Sequence, residues 1–407
     1  MRTKKSPALL NSLYKEENIM TQKILKRFAP LISFFLILSF LAAPALALPA
    51  HSLNAFGDMN ADFDYTAVMS EPRVITENAS AEVSLSTNEL RQMKLYPGGI
   101  PFGVKFMTEG ILIVGFCDIE NGNKKINPSS DAGLRMGDRI LSVNGKALTS
   151  SAELCDTLEK NGGKPLTIVY MRGSSKHTTS LTPVYSESEK CYKTGIYVKD
   201  NGAGIGTVTY IEPNTLSFAG LGHGICEGES GRLVPIQRGS VVDVTINGVV
   251  KGQCGVPGEV KGYFKAGKTG SLLKNTDCGV YGVYANLPSH LPTEPLSLCL
   301  RDELREGKAH IYCTLDGGEP HKYEIEISGI DRSAKAGKCF TVKVTDPALL
   351  AKTGGIVQGM SGSPIIQNGK LCGAVTHVLI NDPTSGYGIF IENMLAAGES
   401  VVMPRAA

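Results

Sequence analysis

Tryptophan is absent from the 407-residue chain, and its ten cysteines include no Cys-x-x-Cys pair. The second absence removes the usual ligand spacing of a structural zinc site, so no metal is expected. A long basic stripe is missing too, since 41 basic residues nearly balance 39 acidic ones. Nucleic acid therefore has no electrostatic footprint to meet. Nor is there a dinucleotide fingerprint. Gly202-Ala203-Gly204-Ile205-Gly206 has the glycines, but "TVTYIE" after it alternates as a strand where a phosphate-binding turn needs a helix. No motif calls for a cofactor. The cysteines are scattered, and several, such as Cys372 in "KLCGAVTHV", fall in apolar strand patterns where a thiol packs as a small core residue. Most of them read as free thiols.

What the chain has in quantity is glycine, 46 residues, with Val, Ile and Thr runs between them. That mixture favours many short strands joined by turns, a mainly β fold, and the length allows two or three domains. One long apolar run stands out, Phe28 to Ala50, preceded by Lys23, Lys26 and Arg27. It reads as an export signal. Ala45-Leu46-Ala47 fits a signal-peptidase site, and the run is nearly long enough to hold the protein in a membrane if it is kept. Residues 1–48 are thus an N-terminal extension and signal peptide or membrane anchor. Residues 49–92, polar and rich in Ser and Thr, read as an exposed linker open to cutting.

From 93 to 185 the pattern becomes "LYPGGIPFGVKF", a strand-like "GILIVGF", then "SDAGLRMGDRILSVNGKAL", a helical "SSAELCDTLEKNG" and a strand "PLTIVYMRG". This stretch resembles an α+β PDZ domain, most clearly in Gly137-Asp138-Arg139-Ile140 and in Val143-Asn144-Gly145, whose Asn-Gly suits a tight hairpin. The resemblance implies a peptide-binding loop at Gly99, Ile100, Phe102, Gly103 and Val104, whose backbone amides would pair with an added strand. A plain turn is the alternative reading of that loop. Residues 186–407 carry one short strand after another, with alternation in "KYEIEIS" and "FTVKVT", and favour a closed or sandwiched β fold.

Within this second region, Gly359-Met360-Ser361-Gly362-Ser363-Pro364 resembles the Gly-Asp-Ser-Gly-Gly-Pro signature of chymotrypsin-like peptidases, which implies a β-barrel catalytic domain with Ser361 as nucleophile. Small neighbours let the backbone turn tightly enough for the amides of Gly359 and Ser361 to converge on an oxyanion. A serine hydroxyl also needs a base within hydrogen-bond reach. Of seven histidines, five fall in the linker or in polar turns. His223, in "GLGHGI", has small residues around it, whereas His377, in "GAVTHVLIND", shares a strand face with Leu371 and Val375 and suits a core or pocket position.

Together "AGIGTVTYIEP", "GLGHGI" and "GGIVQGMSGSPIIQNGKLCGAVTHVLINDPTSGYGI" resemble the SpoIVB peptidase family of spore-forming bacteria. That resemblance implies a triad of Ser361, His223 and Asp346, self-cleavage, and export to the space between the forespore membranes. It also implies a protein substrate, the regulatory subunit of an intramembrane protease complex, whose cutting releases an active sigma factor. The protein's own N-terminal linker and, through the N-terminal segment, the membrane are the other expected partners. Asp346, after a strand and before Pro347, equally suits a structural role. The rival from another class is a catalytically silent PDZ scaffold that binds peptide termini.

Overall fold

The structure, a computed structural model, describes residues 75–76 and 86–402 except 123, 228–230 and 292–293. The expected signal and nearly all of the linker, with its cutting sites, lie outside the described residues. The first long strand, β1 (Pro101–Phe116), enters a small unit of β2 (Arg139–Val143), helix α1 (Ser151–Asn161), β3 (Leu166–Arg172) and β4 (Ser175–Leu181). The second long strand, β5 (Ile196–Ile211), leaves it, followed by β6 (Ser217–Gly220), β7 (Ile236–Val250), β8 (Gly270–Thr276) and β9 (Gly279–Tyr284). Then come β10 (Gly307–Cys313), β11 (His321–Ser328), β12 (Phe340–Val344), α2 (Pro347–Thr353), β13 (Pro364–Gln367), β14 (Lys370–Leu379), β15 (Asp382–Phe390) and α3 (Ile391–Val402).

Two closed barrels result. In the first, β1, β5, β6, β9, β8 and β7 are hydrogen-bonded in that order and β7 returns to β1. Phe102, Val104, Phe218, Val241, Leu272 and Val280 fill it. The second closes through β10, β11, β12, β15, β14 and β13. Its strands obey the alternation visible in the sequence: along β11, Tyr323, Ile325 and Ile327 are buried while Glu324 and Glu326 are exposed.

The PDZ-like unit is built on the far half of β1, where Ile111 pairs with Ile140 of β2, and β2, β3 and β4 continue the sheet. Helix α1 is capped at Ser150, whose side chain accepts from Glu153 N, and ends at left-handed Gly162. It lays Leu154 and Leu158 on Ile111, Ile113, Ile140 and Ile168. The Asn144-Gly145 turn has positive φ at both residues and joins Val143 to Lys146, as the dipeptide suggested.

Here the structure corrects the sequence reading. The near half of β1 belongs to the first barrel, so the PDZ-like unit is an insertion between that barrel's first two strands and does not begin at residue 93. Phe102, Gly103 and Val104 pair with Gly206, Ile205 and Gly204 on one edge and with Asp243, Val242 and Val241 on the other. Gly99 N donates to Val208 O, and Ile100 O accepts from Val208 N. With both edges of that strand occupied, residues 99–104 have no room for an added peptide strand. The inward set Phe102, Val104 and Phe106 fills a barrel.

Candidate active site

The two serines of the glycine-rich turn have different surroundings. Ser363 is 0% exposed, and its hydroxyl has no hydrogen-bond partner. Ser361 is half-buried and donates its hydroxyl to the carbonyl oxygen of Thr376, 2.7 Å away. Of the two, only Ser361 is not fully buried. Its loop is stitched to the first barrel by β5: Thr207 N donates to Ser361 O at 3.0 Å, Thr207 Oγ1 to Gly359 O at 2.7 Å, and Thr209 Oγ1 to Gly362 O at 2.8 Å.

Close backbone approach joins this loop to the one that carries His223. Gly362 has φ +95, and a Cβ there would overlap the Thr207 carbonyl oxygen and lie 2.5 Å from Leu221 N. Gly222, at φ +67, packs so near β14 that a Cβ would stand 2.9 Å from Thr376 Cγ2. Both positions require glycine for φ and for space. The nucleophile turn from the second barrel and the histidine loop from the first are thereby pressed together at Thr376.

His223 is half-buried, and its Nδ1 lies 2.9 Å from Gly224 O. A carbonyl oxygen can only accept, so Nδ1 carries the proton and Nε2 keeps its lone pair. Burial lowers the imidazole pKa below its ordinary value, the carbonyl contact opposing this, so the ring is neutral at pH 7. The expected oxyanion donors are also uncommitted. Among the described residues the amides of Met360, Gly362 and Ser363 are bonded to carbonyls, while those of Gly359 and Ser361 have no acceptor.

His377 lies beside His223, with ring centroids 4.9 Å apart. It is exposed where Leu371 and Val375 are buried, because the pairing of β14 with β15 is irregular between Val375 and Val378 and the alternation breaks there. Desolvation, then His223 and Lys338, lower its pKa to about 4. The two rings line a cleft of about 420 Å³ with Gly224, Cys226, Asp277 and the loop 334–338, which adds Lys335 and Lys338.

Asp346 is held elsewhere. It is the N-cap of α2, where one carboxylate oxygen accepts from Ala348 N and Leu349 N at 2.9 and 3.0 Å and the other from Glu324 N at 3.2 Å. The structure sets the Ser361 turn against the His223 loop, while Asp346 is held at the start of α2 and the His223 Nδ1 is bonded to Gly224. Sequence reasoning missed Asp277, Lys335 and Lys338. Asp277, at the turn between two strands of the barrel that carries His223, was the one it could have found. Among the described residues no group of three or more metal-ligating side chains converges, and all ten cysteines are free.

A match to the family described as SpoIVB peptidase S55 covers residues 190–395, just over half of the chain, and a match to the PDZ domain covers 111–182. Serine protease HTRA1 of Xenopus tropicalis is 41% identical over 101 residues, 25% of this chain and 19% of the relative. The chain thus spans under a fifth of that protein's length. Among solved structures, the PDZ domain of an SdrC-like protein from Listeria monocytogenes is 21% identical, covering 22% of this chain and 87% of that one at a TM-score of 0.19. The Rv3671c protease of M. tuberculosis, active form, is 15% identical, covering 51% and 77% at 0.27. Both scores are too low to carry an argument.

Proposed function

The chain belongs to the SpoIVB peptidase S55 family, and we propose that it is an exported serine endopeptidase in which Ser361 attacks the scissile carbonyl and His223 is the general base. The observation that carries this reading is the pairing of a half-buried Ser361 with two uncommitted amides in one turn. Attack transfers the Oγ proton to His223 Nε2 and places negative charge on the former carbonyl oxygen. The amides of Gly359 and Ser361 then hold that oxygen, a contact made only as charge develops. His223 returns the proton to the leaving amine. His377, Lys335 and Lys338 line the cleft where substrate residues beside the scissile bond would lie.

Family membership supports the wider role as well: cutting of the N-terminal linker, cutting of a membrane-bound regulator of an intramembrane protease, and action between the forespore membranes during sporulation. Among the described residues no helix is long and apolar enough to cross a membrane. The test is release of cleaved fragments by the purified full chain, from itself and from an unstructured peptide. Ser361→Ala should abolish both. Unchanged cleavage by the Ser361→Ala protein would refute the assignment.

A PDZ-type role also has support at a place other than the loop first expected. Among the described residues, 196–199 of β5 pair with Phe116 to Leu112 on one edge only. Their flanks are tied to both ends of α1, through Asp200 to Ser151 N and through Tyr192 N to Glu159. An extended peptide added to the second edge would lie beside α1.

A further inference from the structure

The first barrel sets two side chains opposite one another. Strand β6 runs into the His223 loop, β9 runs out of the Asp277 turn, and the two pair antiparallel as Ser217↔Val283, Phe218↔Gly282, Ala219↔Tyr281 and Gly220↔Val280. Each step forward on one strand is a step back on the other, so three further steps reach 223 and 277. Contacts on both sides of those two residues hold the segments together beyond the ladder. A Cβ on Gly279 would lie 2.9 Å from Gly220 O and 3.6 Å from Gly222 N, and one on Gly224 would lie 2.6 Å from Thr276 O. One step further, Asn275, fully buried, accepts from Ile225 N at 2.9 Å and donates to Ile225 O at 3.1 Å. The His223 loop and the Asp277 turn are therefore packed side by side, and both residues line one cleft.

The turn that carries Asp277 is fixed: Cys278 N donates to Thr276 Oγ1 at 3.1 Å, and Thr276 Oγ1 to Gly279 O at 3.3 Å. Asp277 itself is half-buried and lines the same cleft as His223, the one carboxylate to do so. Among the described residues its carboxylate takes part in no hydrogen bond or ion pair, in contrast to that of Asp346, both of whose oxygens accept from backbone amides. On the reading of His223 as base, we propose that Asp277 is the positioning residue that accepts the His223 Nδ1 proton's hydrogen bond when substrate is bound. The imidazole turns from the Gly224 carbonyl to this carboxylate. A carbonyl holds the same tautomer but offers only a dipole; a carboxylate also stabilises the imidazolium that forms as Ser361 Oγ loses its proton.

The test uses the full chain and a serine-directed transition-state analogue, a peptide boronic acid, that traps an imidazolium. In the wild-type adduct the Nδ1 proton should give a strongly downfield NMR resonance. Asp277→Asn should remove that resonance and lower kcat about 10⁴-fold with little change in KM, by analogy with the same replacement in other triads. Asp277→Glu should recover part of kcat, and Asp346→Asn should leave the resonance in place. Loss of the resonance in Asp346→Asn, or its survival in Asp277→Asn with kcat intact, overturns the proposal, and the first arm holds even if the Asp277 variants fold poorly. No adduct at Ser361 in the wild-type protein would instead refute the reading of Ser361 and His223 on which it rests.

Discussion

Replacing Asp346 separates a structural aspartate from one that acts on the histidine, because the two roles differ in the quantity they change. As the N-cap of α2, with Pro347 at the first helical position, Asp346 satisfies two amides that the helix leaves without partners. Loss of a cap costs about 0.5–2 kcal/mol, and loss of the bond from Glu324 N about 1 kcal/mol more. Asp346→Ala should therefore destabilise the protein by about 1.5–3 kcal/mol, a fall of about 2–4 °C in thermal midpoint per kcal/mol for a domain of this size. Asn caps a helix about as well as Asp, so Asp346→Asn should lose little stability. If Asp346 held the imidazole, the Asn variant would lose about 10⁴ in turnover, equivalent to about 5.5 kcal/mol. Calorimetry beside kcat on a peptide substrate reads both quantities. We expect Asp346→Asn to keep turnover within about threefold of wild type, a change of under about 1 kcal/mol. A normal thermal midpoint with turnover reduced a thousandfold would refute the structural assignment.

Other outcomes follow from the same geometry. Since burial holds His223 below its ordinary value, the base stays deprotonated as pH falls through about 6.5, and kcat/KM, which reports the free enzyme, should decline only at more acid pH. An acid limb above that value would contradict the burial of the ring. Gly103→Asp should prevent folding of the first barrel, because a Cβ there would lie 2.5 Å from Phe264 Cδ1 and 2.7 Å from Val242 Cγ2 with a carboxylate beyond it; soluble, active protein would restore a loop reading. His223→Ala should lower kcat by about 10⁴ to 10⁶ with the fold kept, whereas His377→Ala should act mainly on KM, and a dead His377→Ala enzyme beside an active His223→Ala one would reverse their roles.

Where a side chain's role depends on its own strand, the sequence made it legible. The alternation in β11 and β12 marked the second barrel, the Asn-Gly pair marked a hairpin, and the small residues around Ser361 marked a tight turn. Roles that depend on pairing between distant segments were hidden. Nothing local to "PFGVKFMTEGILIVGF" says that its first half closes a barrel with residues from 201 to 207 and 236 to 243 while its second half starts an inserted unit. Asp277 escaped notice because only the fold, through the pairing of β6 with β9, brings it into the cleft that His223 lines. Asp346 entered only through the family resemblance, but Pro347 and the apolar residues after it were the signature of a helix start.

The most direct test is covalent. A fluorophosphonate probe incubated with the full chain and followed by peptide mass spectrometry should modify Ser361 alone, with loss of peptidase activity in step with labelling and no labelling of His223→Ala at comparable rates. Modification of Ser363, or complete inactivation with Ser361 unmodified, would contradict the assignment of Ser361 as the nucleophile.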